Sequence, residues 1–221
     1  MPSHKIHLAI ANEVNKKLKL DNDSIMLGSV LPDLITNKRH DISHYQIEGS
    51  YEEELANPDK FVSEYRNKLN SPIMLGYLVH LLTDKYYNDY FFQKHCIFGE
   101  NGKAHSVILK NRKIRQPIKK YKQTDFAKYD KWLLKHNFVV PFKSNDCIDM
   151  IVDLTVAKFD KNYLKCYIEK ANNEIIEPNI YKIKSNLFYK VLTKKELDKM
   201  YNECVKYILK YIEENNILKG E

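Results

Sequence analysis

Glycine, proline, cysteine and tryptophan are scarce in this chain, which has six Gly, seven Pro, four Cys and one Trp among 221 residues. Few residues that interrupt helices are therefore present, and Val and Thr are also uncommon. Lys, Leu, Ile, Glu, Tyr and Asn dominate instead. This composition favours an all-α fold, and the length suffices for one good-sized core. We expect a single-domain multi-helix bundle over residues 1–221.

Cysteine pairs, an apolar leader and a long hydrophobic run are also missing. The four cysteines form no Cys-x-x-Cys pair, which argues against a thiolate zinc site and favours reduced thiols; they are Cys96, Cys147, Cys166 and Cys204. Residues 1–7 contain no apolar signal segment. The longest apolar run, 73–82, is interrupted by Gly76 and His80 and is far shorter than the ~20 residues that span a bilayer. We expect a cytoplasmic protein with no transmembrane segment.

The formal charge of +7 invites comparison with nucleic-acid-binding proteins. The most basic run covers residues 110–122 and includes Tyr121. One interpretation is a solvated face. The alternatives are attraction of an anionic substrate, a polyphosphate or a lipid surface, or single-stranded nucleic-acid binding with Tyr121 and nearby aromatic residues stacking on bases.

A helix that begins at Ser71-Pro72 and runs to about residue 94 is apolar on nearly every side in its first half. Such a helix belongs at the centre of a domain. His80 and Asp84 are four residues apart in it, so their side chains share one face. A buried imidazole and carboxylate need a partner, which is either their own hydrogen bond or a metal ion. Both interpretations remain open for this pair alone.

Further helices are predicted over residues 5–20, 58–70 and 145–170, and a last one begins at the capping box Thr193–Glu196. A basic and aromatic stretch that starts at Gln116-Pro117 and runs to His136 is predicted to form one or two helices. Residues 34–57 are predicted to be largely loop. Residues 97–115 are ambiguous, with a turn at Gly99 and Gly102 followed by a candidate helix over 103–112. A short irregular or β excursion is predicted near 174–190.

Five nitrogen and oxygen donors lie in the first 84 residues, and the ligand-bearing core is predicted to be 1–95. The five are His7, Asp33, His44, His80 and Asp84. Three imidazoles and two carboxylates suffice for a metal ion with one position left for water. A single site would take three or four of them. If all five are engaged, two ions bridged by an aspartate become plausible, an arrangement that suits phosphoester hydrolysis.

Four segments of this region occur in a fixed order: His7-x-x-x-Ala11, Leu27–Asp33, Ser43–Tyr45 and Leu75–Asp84. Together they resemble the zinc-dependent phospholipase C family, and more closely its small, unsecreted bacterial branch. Beyond residue 95 the resemblance extends only to helical character. It implies an all-α domain of the phospholipase C and single-strand-specific zinc nuclease type, with metal ions in a cleft.

The resemblance also implies roles for individual residues. The five donors match metal ligands, Asp84 matches a carboxylate that bridges two ions, and Asp33 matches a ligand or the general base for the attacking water. We therefore assign catalytic roles to Asp33 and Asp84. The family has a later His and a His-x-x-x-Glu pair, which this chain lacks. Further ligand candidates are Asp89, His95, His105, His4 and His40.

The predicted function is metal-dependent hydrolysis of a phosphoester, with one or two zinc ions or another divalent metal. The expected partner is a small phosphoester or a phospholipid headgroup. Because the later ligands are absent, the alternative is a helical module that binds metal without catalysis. A single-stranded nucleic-acid binder is the third interpretation.

Overall fold

The computed structural model describes residues 2–34, 40–46, 55–109, 112–115, 118–143, 159–178 and 189–218. Within these ranges the chain is mostly helical, which confirms the fold class predicted from composition. The helices are α1 (His4–Leu18), α2 (Asn22–Gly28), α3 (His40–Ser43), α4 (Pro58–Tyr65), α5 (Pro72–His95), α6 (Ile118–Lys135), α7 (Lys161–Ile176) and α8 (Lys194–Glu214). The chain also forms 3-10 turns at Leu31–Asp33 and Arg66–Lys68, and the strands β1 (Cys96–Phe98), β2 (Ala104–Leu109) and β3 (Arg112–Arg115).

The central element is α5, a helix of 24 residues whose first half, residues 73–84, is buried at every position. Pro72 occupies its first position, where the fixed φ of proline suits a helix start. Ser71 stands at the cap position as predicted, but its side chain makes no capping hydrogen bond. Because α5 is surrounded on all sides, any polar group on its first half must find partners inside the protein.

The closest helix packing is between α2 and α5, where Gly28 and Gly76 meet. A Cβ atom on Gly76 would overlap the carbonyl oxygen of Ile25 and lie 2.9 Å from the Cα atom of Gly28. A Cβ atom on Gly28 would overlap the carbonyl oxygen of Ile73. The two glycines therefore let the helix backbones approach closely, which brings the loop after α2 against the middle of α5.

The outer helices begin at well-defined caps. The Ser3 hydroxyl accepts a hydrogen bond from the backbone N–H of Ile6 at the start of α1. Thr193 and Glu196 form the predicted capping box at the start of α8. Buried apolar side chains from these helices, from α5 and from β2 form one contiguous core. None of the described helices combines the length and hydropathy that crossing a membrane requires.

The three strands form an antiparallel sheet in the order β1-β2-β3, so the prediction of a helix over residues 103–112 is wrong. Val107 faces the core while Ile108 is exposed, the side-to-side alternation of a strand. Val107 pairs with Cys96 on one side and with Ile114 on the other. These pairings satisfy the backbone of β-branched residues that have little preference for a helix.

Several predictions fall partly outside the described residues. The excursion predicted near 174–190 starts within α7, and residues 179–188 are not described. The predicted helix over 145–170 is observed from Lys161, with Asp160 as its cap, and residues 144–158 are not described. Among the described cysteines, Cys96 and Cys204 are buried and Cys166 is exposed.

Candidate metal centre

Separate parts of the chain deliver histidine and aspartate side chains to one point beside α5. The contributors are His7 from α1, Asp33 from the 3-10 turn, His44 directly after α3, and His80 and Asp84 from α5. His80 and Asp84 lie one helical turn apart and point the same way. The structure thus brings together the five donors that the sequence singled out.

The donor atoms of this cluster lie close together. His44 Nε2 is 3.0 Å from His80 Nε2, 3.2 Å from Asp84 Oδ2 and 3.5 Å from Asp33 Oδ1. His7 Nε2 is 3.4 Å from Asp84 Oδ1, and its ring stacks on that of His80 with centroids 3.8 Å apart. The Asp33 side chain is 9 % exposed, and the other four are at most 1 % exposed. The cluster is therefore almost entirely shielded from water.

Hydrogen bonds fix which nitrogen of His44 and of His80 carries a proton. His80 Nδ1 lies 2.8 Å from the carbonyl oxygen of Ser29, which can only accept, so Nδ1 donates. The Ser43 hydroxyl donates its one proton to the carbonyl of Pro32 at 2.9 Å. Its oxygen must therefore accept from His44 Nδ1, which lies 2.9 Å away. Each neutral ring is thus left with a lone pair on Nε2.

These two Nε2 lone pairs face each other at 3.0 Å, next to two carboxylates. Two lone pairs at that distance repel unless a cation lies between or beside them. Either a proton on one ring or a metal ion can supply this positive charge. Mixed imidazole and carboxylate donors are suited to zinc and related divalent ions.

His7 and Asp84 provide a second indication, because their buried polar atoms lack hydrogen bonds. Neither ring nitrogen of His7 nor either carboxylate oxygen of Asp84 makes one with proper geometry among the described residues. The contact of 3.4 Å between them is within ion-pair distance but is not aligned as a hydrogen bond. A buried polar atom without a partner costs ~1–3 kcal/mol, which metal coordination would remove.

The pKa values reflect burial and mutual attraction. Burial lowers the pKa of His7 to about 4, assisted by His80. Burial would also lower the pKa of His44, but its close contacts with the negatively charged carboxylates of Asp33 and Asp84 raise it to about 9. Burial would raise the pKa of both carboxyls, but the imidazoles around them hold each pKa well below its usual range. The cluster therefore keeps both carboxylates ionised and needs compensating positive charge.

The five donors form two groups that could each hold an ion and that share His80. His80 Nδ1 is occupied by the Ser29 carbonyl, so only Nε2 is left as a ligand, and one nitrogen binds one ion. Asp84 can instead bridge, because its Oδ1 faces His7 while its Oδ2 faces His44 and His80. The geometry accommodates one ion, or two ions bridged by Asp84.

Of the additional candidates whose side chains the structure describes, only His4 contacts the cluster. His4 Nε2 lies 3.2 Å from Asp33 Oδ2, and its side chain is 34 % exposed. Asp89 lies on a different face of α5 from Asp84 and accepts a hydrogen bond from Gln93. His95 is about 16 Å further along the helix than Asp84 and lies 3.4 Å from Glu196. Neither belongs to the five-donor cluster.

The remaining candidates also lie elsewhere or are not described. His105 is on the exposed strand β2, and its Nδ1 donates to the carbonyl of Ile97. The His40 side chain lies outside the described part of the structure. In the basic run 110–122, Lys122 is buried and donates to Asn88 at 2.8 Å, so it does not present its charge to a ligand.

Sequence reasoning missed the residues that orient the donors. The Ser29 carbonyl and the Ser43 hydroxyl fix the two rings. Tyr167 of α7 contacts His4, although the two residues are 163 positions apart in the sequence. Ser43 could have been suspected from its place before His44, but nothing local connects Tyr167 with position 4.

Comparisons with protein-family models, with curated proteins and with solved structures find no match to this chain. The resemblance to the phospholipase C family therefore remains a prediction from the four sequence segments. The structural finding is a buried group of histidines and aspartates that could hold a metal ion.

Proposed function

We propose that the chain is a divalent-metal-dependent phosphoester hydrolase of the phospholipase C type, with zinc as its metal. The observation that carries the proposal is the convergence of His44 Nε2 and His80 Nε2, 3.0 Å apart, beside the carboxylates of Asp33 and Asp84. The unsatisfied polar atoms of His7 and Asp84 support it. A cluster with only a structural role would be expected to pair its own hydrogen bonds.

The donor set determines what the protein residues would do. His44, His80 and Asp33 would hold one ion, and His7 with Asp84 would complete its sphere or hold a second. A bound ion supplies a water-derived nucleophile near neutral pH and polarises a phosphoryl oxygen. As the most exposed of the five, Asp33 would alternatively act as the general base that accepts a proton from the attacking water, in place of binding the ion. Asp84, buried behind it, would hold ligand geometry.

The first experiment measures the metal content of protein purified without added zinc. We expect about one to two equivalents of zinc by elemental analysis, as the two donor groups allow. His80→Ala should lose at least one equivalent, because both groups use His80. His105→Ala is the matched control and should retain the wild-type content, since His105 lies on the exposed sheet.

The second experiment measures turnover of a phosphomonoester and phosphodiester panel by the zinc-loaded protein. We expect activity that is removed by chelation, restored by zinc and lowered at least ~100-fold in Asp33→Asn, since a general base contributes about 10²–10⁴-fold. Absence of bound metal together with wild-type behaviour of His80→Ala would end the proposal.

The alternative is a metal site that stabilises the fold without catalysis. Burial favours it, because four of the five donors are at most 1 % exposed, as in structural sites whose coordination is closed to solvent. This alternative predicts that metal removal lowers the melting temperature while no ester in the panel is cleaved at any metal loading.

A further inference from the structure

A cleft of about 300 Å³ lies between α1 and α7, directly outside the metal centre. His4 and Leu8 line it from α1, and Tyr163 and Tyr167 line it from α7. None of the five candidate ligands lines the cleft. His4 is the residue common to the cleft and to the surroundings of Asp33.

A chain of two hydrogen-bonding contacts joins this cleft to the cluster. His4 Nε2 lies 3.2 Å from Asp33 Oδ2, and a carboxylate can only accept, so Nε2 donates. His4 Nδ1 then accepts from the Tyr167 hydroxyl at 2.8 Å. The two rings also meet edge-on, with centroids 5.2 Å apart. Tyr167 thereby fixes the His4 ring, and His4 fixes the Asp33 carboxylate with Oδ1 towards His44.

The cleft also lies on the more accessible side of the cluster. His7, His44, His80 and Asp84 are at most 1 % exposed, whereas Asp33 is 9 % and His4 is 34 % exposed. Among the described residues, accessibility therefore increases from the cluster through Asp33 and His4 to the cleft. The His4 ring alone spans the distance from the cleft lining to the Asp33 carboxylate.

The lining indicates the chemistry of that substituent. Lys5 of α1 and Glu174 of α7 pair at 2.7 Å in the cleft wall, and Lys170 of α7 adds a further positive charge that disfavours a cationic substituent. Ile175 is partly buried and offers an apolar surface, and Tyr163 is 52 % exposed and open to stacking. A cationic alcohol would have to compete with Lys5 for Glu174. An uncharged aryl or short alkyl group would leave the ion pair between Lys5 and Glu174 intact.

We propose that this cleft binds the organic part of a small phosphoester whose alcohol is an uncharged aryl or short alkyl group. In the same proposal Tyr167 and His4 are positioning residues for Asp33. The inference rests on the proposed phosphoester hydrolase activity.

The first test is equilibrium binding to the zinc-loaded full chain by titration calorimetry, using phenyl phosphate, phosphocholine and inorganic phosphate as probes. Phenyl phosphate should bind at least ~5-fold more tightly than the other two, the gain expected from burying and stacking one ring. Tyr163→Ala should remove this advantage without changing the affinity for inorganic phosphate, and Tyr163→Phe should keep it. An unchanged preference in Tyr163→Ala would overturn the assignment of the cleft.

The second test measures zinc affinity by competition with a chelator. His4→Ala should raise the Kd for zinc by about tenfold, the usual effect of losing a residue that orients a ligand. His4→Gln, which keeps an N–H donor, should recover most of the affinity, and Tyr167→Phe should lose part of it. Equal loss in His4→Gln and His4→Ala would contradict positioning and indicate that His4 itself ligates. An unchanged Kd for zinc in both His4 variants would also contradict a positioning role for His4.

These readouts separate the inference from the proposed function. If the zinc-loaded protein binds phenyl phosphate through Tyr163 but cleaves no ester, hydrolysis fails and the binding cleft stands. If it cleaves esters while Tyr163→Ala changes neither the KM nor the kcat for phenyl phosphate, hydrolysis stands and the cleft is wrong.

Discussion

At the scale of single residues, the protonation of two imidazoles decides what the cluster can bind. His44 and His80 each use Nδ1 as a donor to a fixed oxygen, of Ser43 and Ser29 respectively. Their Nε2 atoms are therefore directed at each other, and a cation that bridges the charge is stabilised there. The same arrangement allows a proton to occupy the position of a metal ion, so protons and metal should compete.

Metal uptake should therefore release protons. The pKa of His44 is raised to about 9, so its ring carries a proton at pH 7, and a ligating Nε2 must lose it. We expect release of about one proton per protein at pH 7, measured by calorimetry in buffers that differ in ionisation enthalpy. His44→Gln should abolish the release and His105→Ala should leave it unchanged. Metal binding without proton release would contradict the charge state derived for His44.

The stability of the metal-free protein should also depend on pH through His44. Its pKa is raised above the ordinary value of 6.5, so its stabilising contribution is complete below pH 6.5 and is lost as the pH rises through about 9. We expect the free energy of unfolding to fall by about 1–3 kcal/mol between pH 6.5 and 9, measured by urea unfolding. The His44→Gln variant should lack this decrease.

At the scale of helices, the Gly28–Gly76 contact sets the distance between α2 and α5. The Ser29 carbonyl that orients His80 directly follows this contact. A change in the distance between α2 and α5 would therefore move a group that orients a candidate metal ligand. A side chain at either glycine would have to push the two backbones apart.

Gly76→Ala should therefore weaken both stability and metal binding. We expect a loss of ~2–4 kcal/mol in the free energy of unfolding, because the new methyl group overlaps backbone that cannot move without separating the helices. The affinity of this variant for zinc should fall together with its free energy of unfolding. The control is Gly99→Ala, whose new methyl group would meet the movable side chain of Asn101 at 3.2 Å. Equal effects of the two substitutions would refute the helix-crossing explanation.

Where α1 meets α6 lies a partly buried acid, Asp130, which accepts a hydrogen bond from the Ser3 hydroxyl. Burial raises the pKa of Asp130 to about 6, although the Ser3 bond and the charges of Lys5 and His4 oppose this. A raised pKa favours the folded state at low pH, and this contribution is lost as the pH rises through about 6.

Asp130→Asn should consequently stabilise the protein above pH 7 and have little effect at pH 4. The expected gain is about 1–2 kcal/mol at pH 8, because the amide avoids burying a charge. Thermal unfolding at both pH values measures it. Destabilisation of the same size at both pH values would show that the Ser3 hydrogen bond, and not the charge, dominates at this joint.

At the scale of the whole molecule, the candidate ligands join segments that are distant in sequence around one core. α1, the 3-10 turn, the residue after α3 and α5 all contribute, so an ion bound there crosslinks the N-terminal half of the protein. Since the unfolded chain does not hold these donors together, the binding energy adds to the free energy of folding.

Removal of metal should lower the melting temperature of the full chain. Ligand binding at a thousand times its Kd contributes ~4 kcal/mol, so chelation should shift the transition by several degrees. Differential scanning calorimetry with and without chelator measures this shift. His80→Ala should be insensitive to chelator, whereas a wild-type transition that is equally insensitive would exclude a bound metal.

Local sequence signals predicted much of the fold. The capping box Thr193–Glu196 and the apolar first half of α5 led directly to observed helices. The same approach assigned residues 103–112 to a helix, because it could not see that β2 has two neighbouring strands to pair with. Strand preference depends on such partners more than helix preference does.

The sequence by itself determined the helical character of the chain and singled out five candidate donors, since composition and the spacing of His80 and Asp84 are local properties. Only the tertiary structure decided that these donors converge, that His4 joins them and that Asp89, His95 and His105 do not. The physical reason is that convergence depends on how α2 crosses α5 and where α7 packs on α1. Those contacts arise from side chains far apart in the chain, which spacing along the sequence does not encode.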